Sequence, residues 1–311
     1  MSFMRKDEIR DPRYEKVRIG LPFEEGMSVV KFPERRVFRL SRKSRAGDPT
    51  GMLDAILTND APKKEAGAVY SLLLNAKGRV LTDMTVVKIG DELLVVVEGE
   101  GVEAARDTLG KYAPFSRVAV QETELVVLGV FGPGASNVAS GDGEIACASP
   151  VFERSLLMLA AGDGLEETLT RLKESGAAAV EDKAYETERI YRAIPRFGRD
   201  VTPENFPAEA HLEERAIDFK KGCYPGQETV ARMHYRGQPN KLLHRFVVKG
   251  NAGPGSAVFQ NGKEVGYVTS VAPLEIDGQT YALGYLKRRA DAAGELVSEN
   301  AVLKASALEK P

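Results

Sequence analysis

Apolar and polar positions alternate along this chain in short runs whose period switches between two and about 3.6 residues. Residues 36–40 read as a strand, and 51–57 as a short helix with Met52, Leu53, Ile56 and Leu57 on one side. Residues 68–74, 80–89 and 92–97 read as consecutive strands, with Asn75-Ala-Lys-Gly78 and Gly90-Asp91 supplying the turns. Strands joined this tightly predict an antiparallel meander, not a parallel nucleotide-binding sheet. Residues 101–112 and 164–174 predict helices, and 117–120, 125–130, 144–148 and 154–160 predict strands, with a short helix after Gly134. A further helix is expected over 181–193. Helices mixed with antiparallel strands indicate an α+β layer domain. After Gly237 the pattern becomes short strands at 241–249, 256–259, 264–271 and 279–286, separated by Gly, Pro, Asn and Asp. That spacing predicts a small all-β barrel or sandwich. The expected organisation is a mobile, charged N-terminal arm over 1–25, an α+β domain over 26–240 and a β-barrel domain over 241–311.

Composition narrows the function. With 43 Lys plus Arg against 45 Asp plus Glu, the net charge is −2. No global basic field exists to draw the chain onto nucleic acid, so no direct nucleic-acid partner is expected. The longest apolar runs, 93–97, 125–130 and 156–161, are too short to span a bilayer, and no membrane association is expected. The first residues lack the apolar core of a signal peptide, which predicts a cytoplasmic protein. The two cysteines, Cys147 and Cys223, and three histidines form neither a zinc framework nor a disulfide scaffold. Gly132-Pro-Gly134 lacks the third glycine of a dinucleotide loop, since position 137 is Asn. Gly110-Lys111 is followed by Tyr112, so it is not a phosphate-binding loop.

One segment stands apart: Phe219-Lys-Lys-Gly-Cys-Tyr-Pro-Gly-Gln-Glu-Thr-Val-Ala-Arg232. Lys220-Lys221-Gly222 predicts a basic turn, and Pro225 is expected to open a helix running through Arg232. Cys223 then lies just before a helix N-terminus, where the macrodipole and two lysines favour a thiolate. The plainer alternative is a small core cysteine beside a tight turn. Cys147, in an apolar strand, is expected to be inert.

Lys221-Gly-Cys-Tyr-Pro-Gly-Gln-Glu228 resembles the K-G-C-[YF]-x-G-Q-E signature of the YgfZ family, folate-binding relatives of the glycine-cleavage T-protein, an aminomethyltransferase. Residues 193–202 with Pro207-Ala-Glu209, the 73–87 stretch with Lys77-Gly78-Arg79 and Asp83, and the region 255–286 resemble further parts of that family. Residues 42–48 depart from its pattern. The resemblance implies a ring-like aminomethyltransferase-type domain holding tetrahydrofolate, followed by the small barrel. It further implies assistance to iron–sulfur client enzymes, such as tRNA-thiolating radical enzymes. On this chain it makes Lys221 and Cys223 the functional pair, and Asp200, Asp83, Tyr191, Arg232, Gln227 and Glu228 the candidates for the folate site.

A carboxylate suits the pterin edge because it offers two acceptors in one plane. The plainer role for Asp200 and Asp83 is a turn residue capping local backbone. Glu209 is expected to hold a loop by pairing with a nearby arginine, and Glu228 to cap the thiol loop or pair with Lys221. Arg232 and Arg236 share a helix face and could grip the folate tail, or form a solvated basic stripe. Tyr191 could stack on the pterin or simply pack, and any of His211, His234 and His244 could partner Cys223 or be structural. Two rival functions remain, a true aminomethyltransferase and a folate-binding scaffold without chemistry. A tRNA-modifying GTPase is excluded by the missing phosphate-binding loop.

Overall fold

The computed structural model describes residues 22–298 and 300–306. The expected arm therefore lies outside the described residues except at its end, where Pro22–Glu25 (α1) forms one helical turn. The chain divides into two compact units, one made of Phe23–Asp182 and Pro195–Asn240, the other of Lys183–Ile194 and the described residues from Lys241 onward.

In the first unit, strands Ser28–Phe32 (β1) and Arg36–Arg42 (β2) precede helix Pro49–Asp54 (α2). Asp48 caps that helix, its Oδ1 accepting from Gly51 N at 2.9 Å. The meander follows as Ala68–Leu74 (β3), Val80–Ile89 (β4) and Glu92–Val97 (β5), with the boundaries the alternation predicts. Helix Val102–Ser116 (α3) continues one turn past the expected end, through Pro114, and stops where Arg117 adopts φ 53°. Strand Val118–Thr123 (β6) then completes an antiparallel sheet of order β3-β4-β5-β2-β6. One of its faces packs on α2 and α3 through Phe38, Leu40, Met52, Leu53, Leu73, Met84 and Leu109.

Strands Val126–Phe131 (β7), Ile145–Ala148 (β8) and Ser155–Ala160 (β9), helix Leu165–Glu174 (α4) and the two-residue strand Ala178–Ala179 (β10) build the other sheet of this unit. Its order is β10-β1-β7-β9-β8, and only the β1–β10 pair is parallel. The helix expected after Gly134 is a single 3-10 turn over Ala135–Asn137. Strand β1 was invisible as a separate element, because Ser28–Phe32 is a short apolar run of no clear period.

Helix Asp182–Tyr191 (α5) belongs, from Lys183 on, to the second unit. The short helix Glu213–Ala216 (α6) and helix Gln227–Arg236 (α7) return to the first. Strands Lys241–Asn251 (β11), Ala257–Gln260 (β12), Lys263–Val271 (β13), Thr280–Lys287 (β14), Leu296–Ser298 (β15) and Asn300–Ser306 (β16) form a closed barrel of order β11-β14-β13-β12-β15-β16. Its interior is filled by Phe246, Val258, Val268, Leu286, Leu296 and Leu303. Within that unit Arg189 grips Glu186 with two N–H groups, at 2.8 and 2.7 Å, and Nη2 reaches Ser270 Oγ at 3.1 Å.

Candidate functional site

The β3–β4 hairpin carries the first component. Register sets Asp83 opposite Leu72, and Tyr70, two residues along β3, lies diagonally on the same face. Tyr70 Oη donates to Asp83 Oδ2 at 2.7 Å, and both side chains are buried. Asp83 Oδ1 is buried without a hydrogen-bond partner among the described residues. Burial first, then the charge of Glu98, pushes the Asp83 carboxyl from its ordinary 3.8 up to about 6, against the opposing pull of the Tyr70 hydrogen bond and Arg35. Burial and the Asp83 charge in turn hold the Tyr70 phenol well above its usual value, so it is a permanent donor.

Charged residues frame this pair. Glu98 Oε1 accepts from Arg35 Nε at 2.8 Å, and Glu98 Oε2 lies 3.4 Å from Arg196 Nε. Arg196 Nη2 donates to Glu34 at 2.7 Å. Arg196 opens the turn 196–201, in which its own backbone N–H donates to Asp200 Oδ2 at 3.0 Å. Asp200 is buried, and its carboxylate closes this turn. Glu209 also shapes a loop, accepting from Asn205 Nδ2 at 3.1 Å and Phe206 N at 3.2 Å, not from an arginine. Asn205 O in turn accepts from Val80 N, tying this loop to the hairpin.

The signature segment is pinned to the same unit from both ends. Upstream, Thr58 Oγ1 donates to Ala216 O at 2.6 Å, and Asp218 N donates to Thr58 O at 3.0 Å. Lys221 Nζ donates at 2.6 Å to both Asp54 O and Leu57 O, the carbonyls that close α2 and the turn after it. A cation satisfies such C-terminal carbonyls well. The Lys221 side chain is wholly buried, with Asp60 Oδ1 3.8 Å from Nζ. Burial pulls its pKa down, against the raising effect of Asp60 and Asp54. Two residues on, Cys223 is exposed, and Tyr224 is buried again. Helix α7 begins at Gln227, not at Pro225, because Gly226 takes φ +82°, outside the helical region. Cys223 therefore precedes the helix by a full turn, and the ammonium of Lys221 serves the anchor of its loop.

One apolar cluster joins these parts: Tyr70, Leu72 and Val80 of the hairpin, Phe197 and Val201 of the turn, and Tyr224 and Val230 of the signature. Of the other candidates, Gln227 is half-buried and Glu228 and Arg232 are exposed on α7. Tyr191 lies in the other unit, where its ring meets Tyr281 edge-on at 5.0 Å and Arg245 donates to its carbonyl. His234 stacks on Phe219 at 4.0 Å and faces Glu213 at 3.5 Å. Cys147 is buried, its thiol pushed up to about 12 by desolvation alone. The sequence reading missed Tyr70, Glu98, Arg35, Arg196 and Asp54. Strand alternation counted back from the 75–78 turn would have put Tyr70 on the face of Asp83, whereas the others meet only through tertiary packing.

Comparison with known proteins finds similarity to glycine-cleavage T-proteins and to tRNA-modifying proteins. The model of the GCVT N-terminal domain matches residues 47–145. The chain is 27% identical over 233 residues to the tRNA-modifying protein YgfZ of Aliivibrio fischeri (strain MJ11), covering 70% of this chain and 72% of that one. A putative chloroplastic transferase of Arabidopsis thaliana is 32% identical over 151 residues, 48% of this chain and 34% of its own. Among solved structures, the glycine cleavage system aminomethyltransferase T from Bartonella henselae superposes with a TM-score of 0.78 at 19% identity, covering 92% of this chain and 86% of the other. The fold is that of the aminomethyltransferases, with a closed six-stranded barrel at its C-terminal end.

Proposed function

We propose that this chain, similar to YgfZ proteins and built on the aminomethyltransferase fold, binds tetrahydrofolate and assists the synthesis or repair of iron–sulfur clusters in client enzymes. The observation that carries the folate part is Asp83. One of its oxygens is fixed by Tyr70, and the other is buried without a partner among the described residues. A buried acceptor left open is costly unless a ligand donor meets it, and the pterin ring carries N–H donors of that kind. When bound, tetrahydrofolate supplies reduced ring nitrogens able to carry a one-carbon unit. Asp83 holds the pterin and Tyr70 orients Asp83. Asp200 acts at one remove, by shaping the turn of Arg196. Gln227, Glu228 and Arg232, on the helix that follows the thiol, are the remaining residues we assign toward the cofactor, whereas Tyr191 packs on Tyr281 within the other unit.

The second component is Cys223, an exposed thiol on a loop held at Lys221 and Tyr224. In this reading Cys223 is the reacting group toward the client, and Lys221 is a positioning residue. The relatives named as tRNA-modifying proteins support a role in tRNA modification; in this reading the clients are cluster-dependent enzymes of the cytoplasm.

Isothermal titration with tetrahydrofolate tests the first step. Binding by the wild type that is lost in Asp83→Ala and kept in Cys223→Ala is the expected result, and no heat of binding by pure wild type overturns it. Cys223→Ala is further expected to abolish restoration of client-enzyme activity in cells lacking the protein. Tetrahydrofolate-dependent ammonia release from an aminomethyl-lipoyl carrier protein would replace this reading with the aminomethyltransferase one.

A further inference from the structure

The stretch 35–45 carries Arg35, Arg36, Arg39, Arg42, Lys43 and Arg45, and the structure treats its two halves differently. Arg35 is bonded to Glu98, Arg36 lies 3.7 Å from Glu122, and Arg39 lies 3.7 Å from Glu92. Arg42, Lys43 and Arg45, at the far end of β2 and in the loop after it, are exposed and form no ion pair among the described residues. Glu122 lies toward the other end of β2, opposite Phe38, whereas Arg42 is opposite Val118; Glu92 sits at the Arg42 end of β5 and pairs with Arg39.

Tertiary packing enlarges this unpaired half. Lys43 N donates to Arg117 O at 2.9 Å and Asp48 N to Ser116 O at 3.1 Å, so the loop is sewn to the C-terminal end of α3. Gly47 lies so close that a Cβ there would stand 2.4 Å from Arg117 O. That contact brings in Lys111 and Arg117, both exposed and without an ion pair among the described residues, and Phe115, the most exposed large apolar side chain described, at 84%. The acids of these two segments are Asp48, whose carboxylate caps α2, Glu103, which pairs with Arg106, and Asp107, one turn back from Lys111 along α3.

We propose that Arg42, Lys43, Arg45, Lys111 and Arg117, with the ring of Phe115, form a binding surface for single-stranded nucleic acid. The physical reasons are charge complementarity and residue type. Three of the five cations are arginines, whose planar forks take phosphate oxygens two at a time. A single ring standing among cations offers its face to an unpaired base. A membrane-seeking patch would present several apolar side chains for insertion, and here there is one. The near-zero net charge concealed the surface because acids elsewhere in the chain cancel these cations in the sum, although they do not neutralise them locally. The proposal is independent of folate binding.

Fluorescence anisotropy of the full chain with a labelled single-stranded RNA of about 12 nucleotides tests it. The wild type is expected to bind, with log affinity falling against log salt at a slope of about −3. The triple variant Arg42→Glu/Lys43→Glu/Arg45→Glu should lose roughly tenfold or more in affinity and flatten the slope by about 2. Phe115→Ala should weaken binding several-fold while leaving the slope unchanged, since stacking releases no counterions. Lys111→Glu, on α3 and not in the loop itself, provides a second charge test, and circular dichroism confirms that each variant folds. Absence of RNA binding at about 50 mM salt, or wild-type affinity in both charge variants, overturns the proposal. So does tighter binding to phosphatidylglycerol vesicles than to RNA, which would assign the patch to a membrane surface.

Discussion

The backbone of Gly226, in the signature segment, lies directly on that of Gly78, in the β3–β4 turn: a Cβ on Gly226 would stand 2.7 Å from Gly78 Cα and 2.6 Å from Asn75 O. Both glycines have positive φ, +82° and +80°. The thiol loop and the Asp83 hairpin are therefore held together by a contact that admits no side chain on the Gly226 side.

Gly226→Ala is expected to lower stability by more than about 2 kcal/mol, since it adds backbone strain and forces the two segments apart. Gly176, at φ +93° with nothing within 4 Å of its missing Cβ, separates the two causes. Gly176→Ala should cost only about 1 kcal/mol, the strain alone. Thermal melts of the two variants decide, and equal losses would remove the close approach as the reason.

Asp83 predicts a pH signature. Its folded value of about 6 lies above its ordinary 3.8. Below about pH 4 both states hold the proton, and the group contributes nothing to stability. Between about pH 4 and 6 the unfolded chain gives up the proton while the folded chain keeps it, so stability falls across that window and stays lower above it. Asp83→Asn should therefore be more stable than the wild type at pH 8, by about 1–3 kcal/mol, with the gap closing toward pH 4. Urea unfolding at both pH values measures this, and a gap independent of pH would contradict it. The same variant should bind tetrahydrofolate more weakly, so that stability and function move in opposite directions.

Lys221→Met should cost about 1–3 kcal/mol, because it leaves the buried carbonyls of Asp54 and Leu57 without their donor. Lys221→Arg should not restore it, since a planar guanidinium is a poor substitute for a compact ammonium in a wholly buried site. Denaturant titration of the three proteins reads the effect. A fully stable Lys221→Met would mean the ammonium is not an anchor.

The two thiols should separate cleanly under alkylation. Cys223 is exposed and should label in the native chain within minutes, whereas Cys147 is buried with its thiol pushed up to about 12 and should label only after unfolding. Mass analysis of peptides before and after denaturant distinguishes them, and native labelling of Cys147 would show that β8 opens.

Much of this protein was legible in one dimension. The meander boundaries followed from period-two alternation and its turns, the barrel from evenly spaced short strands, and the signature from Lys221-Gly-Cys-Tyr-Pro-Gly-Gln-Glu228, because each is encoded within a few neighbouring residues. The partners of those residues were not legible. That Lys221 caps the end of α2, that Tyr70 takes one oxygen of Asp83 and leaves the other open, and that the loop of Lys43 is bonded to the end of α3 at Arg117 all depend on segments far apart in sequence. Local pattern determines which face of an element is apolar. What a polar side chain meets on that face is decided by long-range packing, where burial removes water and each donor and acceptor must find its partner within the fold or in a ligand.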